Sequence, residues 1–185
     1  MSLLDIHVLG SPILRETTEP VREVTDELRR LLDDMFETMY VAKGIGLAAP
    51  QVGRRERVAV VDVDGERFAL VNPVVVERGT LLEKAEEGCL SIPEVYGDVE
   101  RPATVRVHAL DAEGSPLELD ASALLARALQ HEIDHLHGKL FLDYLGPWKR
   151  RQALTKWEKM KSDFPGLRRT LSPRDIATHH GGEEL

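Results

Sequence analysis

The chain has 185 residues, of which 42% are apolar, so it is long enough to bury one sizeable core. Its net charge of -8 argues against a surface that binds nucleic acid throughout, although a local basic patch is compatible with it. There is no apolar run that could span a bilayer and no signal-peptide pattern, so we expect a cytoplasmic protein with no membrane partner. A single cysteine, Cys89, excludes an internal disulfide.

The first part of the chain predicts a short strand, a helix and then a series of strands. Thr25 can cap a helix whose apolar residues recur at helical spacing: Leu28, Leu31, Leu32, Met35, Phe36 and Met39. Strands are predicted at 58–63, 68–71, 74–76, 104–110 and 117–119, with turns at 64–65 and 111–114. Short strands joined by tight turns form antiparallel sheets.

Two further helices are predicted in the second part of the chain. Residues 121–129 are apolar on almost every side, which is typical of a helix buried inside a domain. Pro147 can begin a basic helix over about 147–161. We therefore predict an α+β domain over residues 1–164, with antiparallel sheets around the central helix, and a polar, loosely ordered tail over 165–185.

The central helix continues into the pattern His131-Glu132-x-x-His135. Two histidines four residues apart lie on one face of a helix, so both imidazoles can bind one metal ion. Glu132 is then placed to take a proton from a water on that metal. The alternative is a chance arrangement of surface polar residues, which the apolar context of the helix disfavours.

A catalytic site of this kind needs a third protein ligand and one open position. The longer peptidase motif would require histidine where this chain has Phe141. Glu158 stands at a spacing used by zinc endopeptidases, but it lies within a basic stretch. Cys89, between Gly88 and Pro93, is the better candidate because a thiolate is a strong ligand. A buried structural cysteine or a catalytic nucleophile are its other interpretations.

A glycine-rich segment, residues 44–53, precedes the strands. Gly44 and Gly46 flank Ile45, and glycine at alternate positions lets another backbone approach an extended segment closely. The segment lacks the third glycine and the Gly-Lys-Ser/Thr sequence of nucleotide-binding loops. Gln51 is its one sizeable polar side chain.

Three separated stretches resemble the signature motifs of the peptide deformylases: Gly-Ile-Gly-Leu-Ala-Ala-Pro-Gln at 44–51, Glu-Gly-Cys-Leu-Ser at 87–91 and Gln-His-Glu-Ile-Asp-His-Leu-His-Gly at 130–138. Their order and spacing also match. The resemblance implies a metal-dependent hydrolase that removes the formyl group from the N-terminal formylmethionine of new polypeptides. It implies Fe²⁺ as the cellular metal, with Zn²⁺, Ni²⁺ or Co²⁺ also able to bind.

The same resemblance implies roles for individual residues. The metal ligands would be Cys89, His131 and His135, and Glu132 would be the general base. The Gln51 amide and the Leu90 backbone N–H would stabilise the developing oxyanion. The substrate-binding residues would be Gly44, Ile45, Gly46, Leu124 and Ala128, with the glycine segment pairing with the peptide backbone.

Three features extend or limit this interpretation. Glu87 and Arg101 could form a supporting ion pair near the site. Tyr96 stands where some family members have an arginine that contacts the peptide. The resemblance therefore does not predict affinity for the part of the peptide beyond formylmethionine. The stretch 148–161 has six basic residues and one acidic residue. Such a stretch is commonly a solvated helix face, but docking to the ribosome is the functional alternative.

Overall fold

The computed structural model describes residues 2–172 and 175, and within them the chain forms three α-helices and nine β-strands. The helices are α1 (Asp26–Val41), α2 (Ala123–Leu136) and α3 (Pro147–Met160). The strands are β1 (Ile6–His7), β2 (Gly46–Ala48), β3 (Val58–Val63), β4 (Glu66–Arg78), β5 (Leu82–Glu87), β6 (Gly97–Pro102), β7 (Thr104–Leu110), β8 (Pro116–Ser122) and β9 (Arg168–Arg169). None of the helices in the described ranges has the length and apolar character needed to cross a bilayer.

The main sheet is antiparallel and has the strand order β2-β3-β4-β7-β8. Its β3–β4 hairpin closes at Asp64 and Gly65, both with positive φ, as the sequence predicts. The predicted strands 68–71 and 74–76 are parts of the single strand β4. Asn72 adopts a φ of +52°, and the register with β7 shifts between Val71 and Val74.

Helix α2 lies against this sheet and is the central helix that the sequence predicts. Its apolar side chains share one buried cluster with the sheet, including Val61, Leu70, Val107, Leu125, Ala126, Leu129 and Ile133. The helix begins at Ala123, two residues later than predicted, because Ala121 and Ser122 are paired in β8. The α+β class and the central buried helix are thus confirmed.

Helix α1 covers a second apolar cluster. Thr25 caps it as predicted, since its side-chain oxygen accepts a hydrogen bond from Leu28 N at 3.2 Å. The predicted apolar stripe of α1 is buried, and it packs with Val58 and Val60 of β3. The stripe is therefore core.

A second, two-stranded sheet pairs β5 with β6, and the sequence analysis missed it. The sequence pattern does not indicate β5, because most of its side chains are charged or exposed, as in a solvated segment. Glu87 ends β5, and Cys89 follows two residues later. This hairpin therefore carries the loop that faces α2.

The C-terminal part of the domain extends beyond residue 164. Helix α3 begins at Pro147 as predicted and buries Ala153 and Trp157. Arg168–Arg169 pairs with β1, and Leu171 is buried against the α1 cluster. Residues 165–172 therefore do not form a loose tail, since strand pairing and apolar burial hold them. The rest of the predicted tail, apart from Asp175, lies outside the described residues.

Candidate metal centre

Two of the candidate ligands lie on the buried face of α2. His131 and His135 are 2% and 1% exposed, and their ring centroids are 5.0 Å apart in an edge-on arrangement. The i, i+4 spacing brings the rings together on one side of the helix. His131 also stacks on Phe141, with ring centroids 6.4 Å apart.

Cys89 completes a three-residue cluster. Its Sγ lies 3.3 Å from His135 Nε2, and one ligand atom from each of Cys89, His131 and His135 falls within 4.8 Å of the others. His131 Nε2 and His135 Nδ1 are buried and have no hydrogen-bond partner within the described part of the chain. Buried polar atoms are normally satisfied, and the unpaired His131 Nε2 together with Cys89 Sγ and His135 Nε2 forms a donor set that fits a metal ion. Cys89 is therefore both part of a buried apolar cluster and adjacent to two imidazoles.

Glu132 lies next to this cluster and is completely buried. Both of its carboxylate oxygens lack hydrogen-bond partners among the described residues. Burial, more than any nearby charge, raises the pKa of Glu132 to about 7, against the lowering effect of His131. The side chain packs against Gly46 of β2, where a Cβ atom would lie 2.8 Å from Glu132 Cδ. The carboxylate therefore faces the strand that the sequence assigns to substrate binding.

The predicted ion pair between Glu87 and Arg101 is confirmed, and it belongs to a larger network. Arg101 Nη2 lies 2.9 Å from Glu87 Oε2, and His131 Nδ1 lies 3.0 Å from the same oxygen. Burial alone would raise the pKa of Glu87, but Arg101 and His131 outweigh it and hold the pKa at about 2. Glu87 thereby orients the His131 ring so that Nε2 faces the cluster.

Arg127 is a member of this network that the sequence analysis missed. Its Nη1 lies 2.8 Å from Glu87 Oε1, and its side chain is 9% exposed. Arg127 could have been identified from the sequence, because it is a charged residue in an otherwise apolar part of the helix, one turn before His131.

Gln51 and Leu90 both lie next to Cys89. Gln51 is fully buried in a 3₁₀ turn (Ala49–Val52), and its side-chain nitrogen lies 3.1 Å from Ser91 Oγ and 3.6 Å from Cys89 Sγ. Its side-chain oxygen accepts a hydrogen bond from Ala48 N at 2.8 Å, which fixes the orientation of the amide. Leu90 adjoins Cys89 in the chain, and within the described residues its N–H has no hydrogen-bond acceptor.

Strand β2 is the edge strand of the main sheet beside this centre. Asp62 N donates to Ile45 O at 2.9 Å, so Ile45 faces β3. Because successive residues of a strand alternate in direction, the N–H and C=O of Gly46 and the C=O of Gly44 face away from β3. Gly44 N donates to Met39 O, at the end of α1. The edge therefore offers backbone groups to an added strand.

The three apolar residues assigned to the substrate pocket differ in burial. Ile45 and Ala128 are buried in the same cluster, at 5% and 0% exposure. Leu124, one helical turn before Ala128, is 40% exposed. Tyr96 packs against Gly88, where a Cβ atom would meet its ring at 2.7 Å, and is 45% exposed. Two of the three residues are therefore core residues, and Leu124 is at the surface.

Glu158, the alternative third ligand, lies away from this cluster. It is on the exposed side of α3, where its carboxylate is 66% exposed and lies 3.6 Å from Lys161 Nζ. Within the described part of the chain, the group that could hold a metal is Cys89, His131 and His135. This placement does not favour the endopeptidase interpretation.

Comparisons with known proteins agree with this geometry. The sequence model described as "Polypeptide deformylase" matches residues 3–151. The peptide deformylase of Alkalilimnicola ehrlichii is 52% identical over 164 residues, which cover 86% of this chain and 92% of the relative. A crystal structure of the Legionella pneumophila enzyme has a TM-score of 0.82 at 44% identity, covering 87% of this chain and 96% of that one.

A second solved structure is that of the peptide deformylase from Ehrlichia chaffeensis in complex with actinonin. It has a TM-score of 0.84 at 39% identity, and the match covers 87% of this chain and 99% of that chain. The family match spans the main sheet, the β5–β6 hairpin, α2 and the cluster of Cys89, His131 and His135. The chain belongs to the polypeptide deformylase family.

Proposed function

We propose that this protein removes the N-formyl group from the formylmethionine of newly made polypeptides, with Cys89, His131 and His135 holding the metal. The observation that carries the proposal is the buried cluster of one thiol and two imidazoles with an unpaired carboxylate, Glu132, beside it. A buried carboxylate without partners destabilises the folded protein, so its presence beside the cluster indicates a role in the reaction. Membership of the deformylase family supports the same reaction.

The ligand set also bears on which metal binds. A thiolate with two imidazoles suits Fe²⁺, Zn²⁺, Ni²⁺ and Co²⁺ better than the hard ions Mg²⁺ and Ca²⁺. We propose Fe²⁺ in the cell, as the family resemblance implies. When bound, the metal would polarise the formyl carbonyl and lower the pKa of a water.

The residues around the cluster would carry the proton and stabilise the charge. Glu132 takes a proton from water as the water oxygen bonds to the formyl carbon. Gln51 Nε2 and the Leu90 N–H donate to the formyl oxygen as it becomes negative. Glu132 then gives the proton to the departing amine as the carbon–nitrogen bond breaks, which leaves formate and a free N-terminus.

The substrate would bind as an additional strand along β2. With its formyl end near Gln51, the peptide runs antiparallel to β2 and pairs with Gly46 and then Gly44. The methionine side chain enters the apolar pocket formed by Ile45, Ala128 and Leu124. The exposure of Leu124 supports its place at the mouth of this pocket.

The role of Glu132 is tested by Glu132→Gln, which keeps the shape of the side chain and removes the base. We expect the variant to retain metal by elemental analysis and to lose deformylation of a formyl-Met peptide by about 100-fold or more. Activity near that of the wild type would overturn the assignment of the base.

The ligand set is tested by a matched pair of variants. Cys89→Ala should release the metal, whereas Glu158→Ala should retain it, since Glu158 is exposed and pairs with Lys161. Metal contents in the opposite order would support the endopeptidase alternative.

We also propose that α3 docks on ribosomal RNA. Four of the basic side chains of the stretch 148–161 make contacts within the protein: Lys149 with Asp98, Arg150 with Asp143, Lys156 with Glu94 O and Lys161 with Glu158. Arg151 and Lys159 make no ion pair within the described residues, and Trp148 is 70% exposed. All three line one side of the helix. Cations and an aromatic ring on one exposed face suit RNA.

Ribosome docking is tested by the double variant Arg151→Glu/Lys159→Glu in co-sedimentation at increasing salt. We expect weaker binding and a smaller dependence on salt than in the wild type. Arg78→Glu/Lys84→Glu makes the same charge change at exposed positions elsewhere and should bind normally. Equal binding by all three proteins would contradict the proposal.

We infer that the protein acts in the cytoplasm. Its proposed substrates begin there, at the ribosome. A single thiol used as a metal ligand also requires a reducing environment, because oxidation would remove the thiolate. Cell fractionation with detection of the protein tests this location, and recovery outside the cytoplasmic fraction would contradict it.

A further inference from the structure

Helix α2 presents a row of polar side chains to the β5–β6 hairpin. Arg127, His131 and Asp134 follow one another at i, i+4 and i+7, so they lie along one face. Glu87 and Arg101 oppose them from the hairpin, with Arg101 Nη1 2.9 Å from Asp134 Oδ2. The helix and the hairpin are therefore joined by alternating positive and negative groups.

Arg127 binds three groups of the hairpin at once. Its Nη1 donates to Glu87 Oε1 at 2.8 Å and to Val99 O at 2.9 Å, and its Nη2 donates to Glu83 O at 2.8 Å. These acceptors come from both strands of the hairpin. A planar guanidinium with fixed donors holds such a set in one arrangement, which a lysine cannot reproduce.

This joint lies between the two sources of the proposed metal ligands. Cys89 comes from the loop after β5, whereas His131 and His135 come from α2. Glu87 Oε1 accepts from Arg127 and Arg101, and Glu87 Oε2 accepts from Arg101 and His131 Nδ1. Arg127 thus holds the same carboxylate that orients the His131 ring.

We propose that Arg127 is a positioning residue of the metal centre. It fixes the Cys89 loop relative to α2, and it holds Glu87 where that carboxylate can orient His131. The inference rests on the proposed metal ligands. Groups that support metal ligands in this indirect way typically change metal affinity by about 10–100-fold when they are removed.

The experiment compares Arg127→Met and Arg127→Lys with the wild type, each loaded with Co²⁺. Methionine has a long, unbranched apolar side chain and removes every hydrogen-bond donor. Lysine keeps the positive charge but lacks the planar set of donors. The exposed Arg30 of α1 gives the matched control Arg30→Met. The readouts are the visible absorption of bound Co²⁺, its rate of release to a chelator, and the melting temperature.

We expect Arg127→Met to release Co²⁺ about tenfold faster or more and to shift the absorption bands, because the ligand geometry relaxes. Arg127→Lys should be intermediate, and Arg30→Met should match the wild type. If Arg127→Met does not fold, faster release from folded Arg127→Lys supports the proposal.

The contrary result is a wild-type release rate and spectrum in every folded Arg127 variant. A lower melting temperature alone would then assign Arg127 a purely structural role and overturn the proposal. Failure of the wild-type protein to bind Co²⁺ would overturn the proposed function, and this inference with it. The two failures are thus distinguishable.

Discussion

At the scale of single residues, Gly46 and Glu132 are packed so closely that no space remains between them for a Cβ atom on residue 46. A Cβ on Gly46 would lie 2.8 Å from Glu132 Cδ, which is closer than real Cβ atoms approach other heavy atoms. Gly46 is not among the positive-φ residues, so backbone conformation does not require glycine here. Glycine is required because the carboxylate packs directly on the strand.

We therefore predict that Gly46→Ala lowers kcat for a formyl-Met peptide by about 100-fold, because a displacement of Glu132 by about 1 Å removes the proton acceptor from its working position. The measurement is steady-state kinetics with a melting curve for each protein. Gly146→Ala is the control, since a Cβ at Gly146 would meet nothing within 4 Å. Unchanged kcat in Gly46→Ala would show that Glu132 can move without loss.

The sequence predicts the residues of the centre better than the contacts that support them. His131 and His135 follow from helical spacing, and the motif around Cys89 identifies the third candidate ligand. Arg127 was missed because a lone arginine in a helix pattern is ordinarily a surface residue. Only the tertiary approach of β5 and β6 makes its side chain buried and paired.

At the scale of elements, α1, α3, β3 and β7 agree with the predicted ranges because apolar periodicity and capping residues define them locally. The β5–β6 hairpin does not follow this rule, since β5 has mostly exposed side chains and is held by pairing with β6 and by Arg127. The start of α2 was misplaced because Ala121 is compatible with both strand and helix. Partners distant in sequence decide such cases.

The 3₁₀ turn Phe141–Tyr144 after α2 depends on Asp143. This carboxylate accepts hydrogen bonds from Leu140 N at 3.0 Å and from Arg15 Nη1 at 2.7 Å. Burial alone would raise the pKa of Asp143, but these donors outweigh it and lower the pKa below the ordinary value. The charged form therefore stabilises the native state above the unfolded pKa, and that stabilisation is lost as the pH falls through the lowered folded pKa.

We predict that Asp143→Asn reduces the free energy of unfolding by roughly 1 kcal/mol at neutral pH, where the charged hydrogen bonds are fully formed. The difference between wild type and variant should shrink as the pH falls below about 4, the ordinary pKa of aspartate. Urea unfolding at pH 7, 5 and 3 measures this trend. A difference that stays constant with pH would contradict the charged role of Asp143.

At the scale of the whole molecule, the candidate metal centre joins parts of the chain that are distant in sequence. Cys89 comes from the hairpin side, and His131 and His135 come from the helix that packs on the main sheet. A metal bound to all three would link the β5–β6 sheet to the main sheet through α2. A ligand that binds only the native state stabilises it by mass action.

We predict that removing the metal with a chelator lowers the melting temperature. Metal at about 100 times its Kd contributes about 2.7 kcal/mol, which corresponds to about 5–11 °C for a chain of this size. Differential scanning calorimetry with and without chelator measures the shift. Cys89→Ala should melt at one temperature under both conditions, and an equal shift in that variant would argue against Cys89 as a ligand.

The free edge of β2 has a consequence for which peptides the enzyme accepts. The Ala48 N–H already donates a hydrogen bond to the Gln51 side-chain oxygen, and the chain then turns into the 3₁₀ helix Ala49–Val52. A peptide bound along β2 as proposed would therefore find no backbone partner beyond Ala48 and would end beside the candidate metal centre. With that binding mode, we expect the site to accept only the ends of chains and to leave internal peptide bonds of other proteins intact, whatever their sequence.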